Sequence, residues 1–340
     1  MARVLQWWSH SKTVALIWVV SAVVFYTLFQ MALRNSNSAS SGRYYAFISS
    51  LLFGSRENFV EFDLALMNFD FADSLVSSEV RRSKLYDGMA RDLDEKGAAF
   101  LKQGETSQSL SLSDIFTLKD GSVEPVLKAA IPPVRANVLY LSTEYSVPIS
   151  ETVKRMVNPY FDNSIWFQNS SLYHFSMFHA SHHITPVPAT EDEIEAEANA
   201  VRATSKTLCP LNIVLDRVVL TSTGVLLGCW QVTSGTDPTT IRAKLRAALP
   251  RAPEKQLYDA AILHTSFARL LGQPKASAMD SHNSDLVQFF HELVARLNME
   301  LRGFRAVVSE LWYVEEYDVL ALALNGRMKV RRFQLGCLTN

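Results

Sequence analysis

Leu172-Tyr173-His174-Phe175-Ser176-Met177-Phe178 and Ala261-Ile262-Leu263-His264-Thr265-Ser266-Phe267 are the two stretches whose reading decides the fold of this chain. Each is an apolar run interrupted by a His and, two positions on, a Ser. Residues i and i+2 of a strand point to the same side, so each His shares a face with its Ser. The pattern H-x-[ST] occurs five times, at His174, His179, His183, His264 and His282. Only the first and fourth are flanked by apolar residues on both sides in a strand pattern.

The surroundings of the two runs repeat. After the first, Thr190 and Glu193 form a capping box that opens a helix with Ile194, Ala198, Val201, Ser205 and Leu208 on one face. Leu211–Leu220 and Val225–Val232, separated by Thr-Ser-Thr-Gly, read as a hairpin. Asp237-Pro238 then starts a linking helix that runs to about Leu249. In the second half, Ala260–Ala268 is strand-like, and Leu286, Phe289, Phe290, Leu293, Leu297 and Leu301 mark an amphipathic helix ending near Gly303. Ala306–Val314, Val319–Leu324 and Met328–Leu335 follow as predicted strands, the last two joined across Asn325-Gly326. Strand, helix and hairpin thus occur twice. The duplication predicts an α+β domain over residues 165–340, with two pseudo-symmetric antiparallel lobes around a central groove.

If the two strands adjoin across that groove, two imidazoles and two hydroxyls converge on one pocket. The set suits a phosphodiester. A neutral His can take a proton from the attacking oxygen while a protonated one donates to the leaving oxygen, and a pKa near 6.5 supplies both forms. The hydroxyls of Ser176 and Ser266 would hold the non-bridging oxygens. This chemistry calls for no metal and no cofactor. A rival reading takes His174, His179, His182 and His183 as a Zn²⁺ site. No Cys or carboxylate lies within that cluster and no HExxH occurs, so His179, His182 and His183 are expected at the groove mouth. His179 with Ser181 stands as the alternative first motif.

On these residues the chain resembles the two-histidine phosphoesterase superfamily, which includes the 2',5'-RNA ligase-like enzymes and plant-type cyclic phosphodiesterases. Tyr173-His174-Phe175-Ser176-Met177 and Leu263-His264-Thr265-Ser266-Phe267 fit its hydrophobic-His-x-[Thr/Ser]-hydrophobic mark. SLYHFSMFHASHH, CPLNIVLDRVVLTSTGVLLGCWQV and LYDAAILHTSFARLLG look like its membrane-anchored plant members. The resemblance implies that His174 and His264 are the acid–base pair and Ser176 and Ser266 the phosphate ligands. Many active members carry Thr in both motifs, whereas both are Ser here. Arg269 is the basic residue nearest to a motif, while Arg327, Lys329, Arg331 and Arg332 read as a solvated strand edge.

Outside these motifs the sequence bounds the answer. Its 340 residues allow two domains, or one with a long extension; 48% hydrophobic and 20% charged residues exclude wholesale disorder. Thirty-three Lys+Arg against 34 Asp+Glu carry no global basicity for nucleic acid. Three Cys exclude a disulfide-dense scaffold and leave open one pair, Cys209 with Cys229 among the choices. Thr13–Leu33 holds no charged residue and is about 31 Å long as a helix, with Trp7, Trp8, Arg3, Lys12 and Arg34 around it. The run is too long for a signal peptide, and Gln30-Met31-Ala32-Leu33-Arg34 is a poor cleavage site.

The expected order is therefore a tail over 1–12, a single-pass transmembrane anchor in the lipid bilayer over 13–33, and a stalk over 34–43. A mainly helical region without evident chemistry over 44–164 and the 165–340 domain complete it. Lys and Arg balance across the span, and the short leading tail favours a lumenal body in the ER or Golgi, where the sequon Asn169-Ser170-Ser171 would be accessible. Asp92-Leu93-Asp94 reads as a solvated helix face rather than the DxD metal site of an anchored glycosyltransferase. The expectation is an anchored, metal-independent phosphodiesterase acting on a cyclic 2',3'-type or 2',5'-linked diester of a nucleotide or RNA end. The alternative is a nucleotide-binding or scaffold membrane protein of the same fold, catalytically weak or inactive.

Overall fold

Two antiparallel sheets carry the two His-x-Ser strands. The structure is a computed structural model that describes residues 59–101, 110–119, 122–161, 164–275 and 286–337. By its contacts the chain divides into residues 1–70 and 71–340, and the second unit holds the elements that build the site. In chain order the elements are α1 (Phe59–Lys96), α2 (Leu112–Ile115), β1 (Phe116–Lys119), β2 (Ser122–Pro125), β3 (Ala129–Tyr140), α3 (Thr143–Val157), β4 (Ile165–Phe167) and β5 (His174–Ser181). They continue as α4 (Glu191–Ser205), β6 (Leu211–Leu220), β7 (Val225–Ser234), α5 (Pro238–Ala248), β8 (His264–Leu270), α6 (Leu286–Leu301), β9 (Arg305–Val308), β10 (Glu310–Asp318), α7 (Ala321–Leu324) and β11 (Met328–Gln334).

One sheet has the order β11-β10-β3-β5 and the other β4-β8-β7-β6-β9. The mixed helix and antiparallel-sheet class is as expected, but the lobes are not the two sequence repeats. The hairpin β6–β7, which follows the first His strand, pairs with the second His strand β8. The hairpin β10–β11, which follows the second, reaches the first only through β3. Each half of the sequence therefore lends its hairpin to the other half's sheet.

Three expectations are corrected. The single strand Ala306–Val314 breaks at Ser309, so that β9 pairs with β6 in one sheet and β10 with β3 in the other. Val319–Leu324 is no strand: Ala321–Leu324 forms one helical turn between Leu320 (φ 60°) and Asn325 (φ 59°). Ala and Leu are strong helix formers, which decides an alternating Ala/Leu run once no partner strand is offered. Third, the stretch over 44–164 is not mainly helical in its second half. It supplies β3, the strand that joins β5 to β10. The pair Pro132-Pro133, an interruption in the sequence pattern, sits where the ladder between β10 and β3 slips between Glu316 and Asp318, so the missing N–H groups leave no bond unmade.

The helices behave as read. Thr190 and Glu193 close the capping box of α4, and Ile194, Ala198, Val201 and Ser205 are buried. The Asp237 carboxylate accepts the Thr239 N–H at 2.9 Å and starts α5. Phe289, Phe290, Leu293, Leu297 and Leu301 bury one face of α6 in the main core. Cys209 is disulfide-bonded to Cys337, which ties the chain end to the turn before β6, while Cys229 is a buried free thiol. Among the described residues no helix is long and apolar enough to cross a membrane, and the expected span 13–33 lies outside those residues.

Candidate active site

β5 and β8 lie side by side across a cleft of about 840 Å³, within the usual size of a small-molecule site. His174, Ser176, His264 and Ser266 all line it. Strand alternation alone would next present Phe178 and Ala268. Instead, a register slip between Asn137 and Val138 leaves Met177 without a counterpart on β3. A slip between Leu226 and Leu227 does the same to Phe267 on β7. Each bulge shifts the following residues by one position, a standard means of re-aiming a side chain. The cleft therefore receives His179 and Arg269, each five residues past its motif His.

The His174 Nδ1 lies 2.8 Å from the Leu172 carbonyl oxygen. A carbonyl only accepts, so Nδ1 carries the hydrogen and Nε2 keeps the lone pair. Burial lowers the His174 pKa below the ordinary histidine value. His264 stacks edge-on against Tyr258, with ring centroids 5.0 Å apart. Burial first, then the Arg242 charge and His174, push His264 down to about 3. Both rings line the one cleft. In the protein by itself both are neutral at pH 7.

The cation beneath them is Arg242 of α5, which is buried. Its Nε donates to the Met177 carbonyl at 2.9 Å, Nη2 to Ser176 at 2.8 Å and Nη1 to Ala260 at 2.6 Å. Burial lowers its pKa to about 10, so it stays charged at neutral pH. Arg269 is the second cation. Its Nη1 is buried without a hydrogen-bond partner among the described residues, and burial lowers its pKa to about 10. Arg269 lines the cleft, and a guanidinium there is a partner for an anion.

Sequence reasoning missed the third wall. Leu85, Met89 and Ala90 of α1, with buried Tyr86, pack on Val219, Val225, Leu227, Cys229 and Ile262. Cys229 and Leu227 stand opposite His264 and Ser266, so α1 covers the cleft face of that sheet. The Tyr86 hydroxyl lies 2.7 Å from both the Trp230 and the Leu263 carbonyl oxygens, which share its one hydrogen, and it accepts the Leu263 N–H at 3.2 Å. Arg82 Nε donates to the Ala261 carbonyl at 2.8 Å. The backbone that leads into His264 is thereby held from behind. The helical spacing of Val80, Leu85, Met89 and Leu93 is visible in the sequence, but no local signal says against which sheet it packs.

The other candidates separate. His182 accepts the Thr185 N–H on Nδ1 and donates from Nε2 to the Lys255 carbonyl, both at 3.1 Å. Ser181 is buried and accepts the Val187 N–H at 3.1 Å, away from the cleft, so His179 and Ser181 do not form a cleft-facing pair. Among the described residues no group of three or more His, Cys, Asp or Glu is arranged to hold a metal ion. His282 lies outside the described residues. Asp92 pairs with Lys96 and accepts the Ser222 N–H, whereas Asp94 pairs with His291, so the DxD carboxylates are engaged apart. Arg327 pairs with Asp318 and Lys329 with Glu315, both cations exposed as on a solvated edge, and Arg332 lies over Trp312, whereas Arg331 is largely buried against Glu315.

No family model matches the sequence, and no curated protein matches it. Among solved structures, TT0787 of Thermus thermophilus is similar at 12% identity and TM-score 0.39, covering 60% of this chain and 98% of that one. A protein described only as a phosphoesterase is similar at 13% identity and TM-score 0.35, covering 60% and 99%. LigT of E. coli, solved in complex with NADP+, is similar at 11% identity and TM-score 0.34, covering 62% and 99%.

Proposed function

We infer that the cleft hydrolyses a cyclic 2',3'-type or 2',5'-linked phosphodiester of a nucleotide or RNA end. The observation that carries this reading is the placement of His174, Ser176, His264 and Ser266 on one cleft from strands 90 residues apart in sequence. His174 is assigned as the base, because its Nδ1–H is committed to Leu172 and Nε2 is left to accept. Nε2 takes a proton from water as the water oxygen bonds to phosphorus. His264 gives a proton to the departing ribose oxygen as the P–O bond breaks, leaving a phosphate monoester.

The protein by itself keeps His264 neutral, so the ring must take up a proton from solvent as the substrate binds. A phosphate anion between the rings favours the imidazolium and raises both pKa values, while Arg269 and the two Ser hydroxyls hold the non-bridging oxygens. The acid is thus formed in the complex that uses it. The body is proposed to be lumenal, tethered to the bilayer through 13–33. The Cys209–Cys337 disulfide supports that placement, because such bonds persist in oxidising compartments.

The test is turnover of a panel of cyclic and 2',5'-linked phosphodiesters by the full 340-residue chain in EDTA. His174→Ala and His264→Ala should each lower kcat by about 10²- to 10⁴-fold. Turnover indifferent to both substitutions would remove the assignment. Nucleotide binding without turnover from pH 5 to 9 would instead favour a binding module.

A further inference from the structure

Arg242 lies outside both motifs, on the helix that links the two halves of the sequence. All three of its hydrogen bonds go to main-chain carbonyls: Ser176 and Met177 on β5, and Ala260 just before β8. It is 7% exposed, and no carboxylate pairs with it within salt-bridge distance among the described residues. A buried cation without a carboxylate partner carries a desolvation cost that an apolar residue of similar size would not, so packing alone does not account for it. The geometry supplies one. A guanidinium is a rigid planar fork, and here one plane reaches carbonyls of both His-bearing segments. Two of its acceptors are the carbonyls of Ser176 and of the bulged Met177, at the slip that sets where His179 stands.

We propose that Arg242 is a positioning residue that sets the spacing of His174 and His264 by pinning β5 to the segment before β8. The proposal rests on the two-His reading of the cleft. The titratable and charged groups that act on it are Asp259, Tyr86, Arg82 and Asp237, together with the rings of His264 and His179. Asp259 and Asp237 act on it at longer range and are themselves paired with Arg81 and Arg82.

Two substitutions in the full chain separate geometry from charge. Arg242→Lys keeps the cation but loses the fork; Arg242→Met loses both. On a cyclic nucleotide, Arg242→Lys should lower kcat by roughly 10- to 100-fold with KM within about twofold, the signature of a misplaced catalytic group. Histidine ring NMR, which needs no turnover, gives the second readout. His174 and His264 resonances should both move in Arg242→Lys, with the His264 titration near its wild-type midpoint. In Arg242→Met that midpoint should rise as well. Wild-type kcat in Arg242→Lys, or ring shifts confined to one His or absent from both, would overturn the proposal. If the wild type turns over no cyclic phosphate, the phosphodiesterase reading fails and the NMR arm still decides the role of Arg242. If Arg242→Met does not fold, Arg242→Lys decides alone.

Discussion

His179 and Arg269 occupy equivalent places in the two motif strands, each five residues past its His and each turned into the cleft by a bulge just after the motif Ser. The pseudo-symmetry therefore extends beyond His and Ser. Its two members differ in charge: burial and neighbouring histidines push His179 down to about 3, whereas Arg269 stays cationic.

That asymmetry predicts the effect of Arg269→Met. Arg269 is a cation lining the cleft, so substitution should weaken binding of a nucleoside monophosphate by about 1.5–3 kcal/mol, the usual worth of a hydrogen bond to a charged group. Stability should hold or rise, because an unpaired buried cation is removed. Calorimetric titration and a thermal melt on the same sample read both signs. A loss of stability without a loss of affinity would place Arg269 in the scaffold.

A fragment that begins at residue 165 should not fold. It lacks β3, which pairs with both β5 and β10, and it lacks α1, which buries Val219, Val225, Leu227, Cys229 and Ile262. The measurement is cooperativity of thermal unfolding by circular dichroism, and a sharp transition would contradict the shared sheet.

Gly228→Ala tests the bulge from behind. A Cβ there would run into the Phe267 ring and meet Leu215 at 3.0 Å, inside a buried interface. Overpacking of this kind costs about 1–3 kcal/mol. Because Phe267 is the bulged residue itself, turnover should fall along with the melting temperature, whereas loss of stability alone would mean the strand absorbs the methyl without moving Ser266.

Acid should destabilise the protein through its histidines. His179 and His264 sit at about 3 in the folded state against an ordinary value of 6.5. Below about 6.5 the unfolded chain takes up protons that the folded chain refuses, so stability is full above that pH and falls as pH drops toward 3. Glu316, raised by burial to about 7, works in the opposite sense and costs stability as pH rises from 4.5 toward 7. His264→Asn should flatten the acid side of the stability profile measured by urea unfolding from pH 4 to 7. An unchanged slope would mean the ring is already hydrated and charged.

Reduction gives a final test. Cys209 and Cys337 are 128 residues apart, and a bond closing so long a loop is worth up to roughly 5 kcal/mol. Melting with and without dithiothreitol should differ accordingly in wild type and not in Cys337→Ser. Cys229, buried and with its thiol pKa raised by burial, should resist alkylation until the protein unfolds.

Much of this is legible in the residues, and the limits follow from what kind of signal each part leaves. The His-x-Ser strands, the Thr190 capping box, the Asp237-Pro238 start and the Leu286–Leu301 stripe are local: propensity, capping and period act within a few residues. β3 is hidden because Pro132-Pro133 argues against a strand unless the partner also slips, and the partner lies near residue 316. The turn at Ala321–Leu324 passes for a strand because alternation alone does not choose between period 2 and a single helical turn.

By itself the sequence determined which residues place an imidazole and a hydroxyl on a common strand face, since side-chain period is a property of the local backbone. Only the tertiary structure decided the exchange of hairpins between the sheets, the wall made by α1, the pairing of Cys209 with Cys337, and the burial that keeps the imidazoles neutral. Those depend on contacts between segments tens to hundreds of residues apart, and they were settled by which apolar faces and unpaired backbone groups found one another, which no window along the chain records.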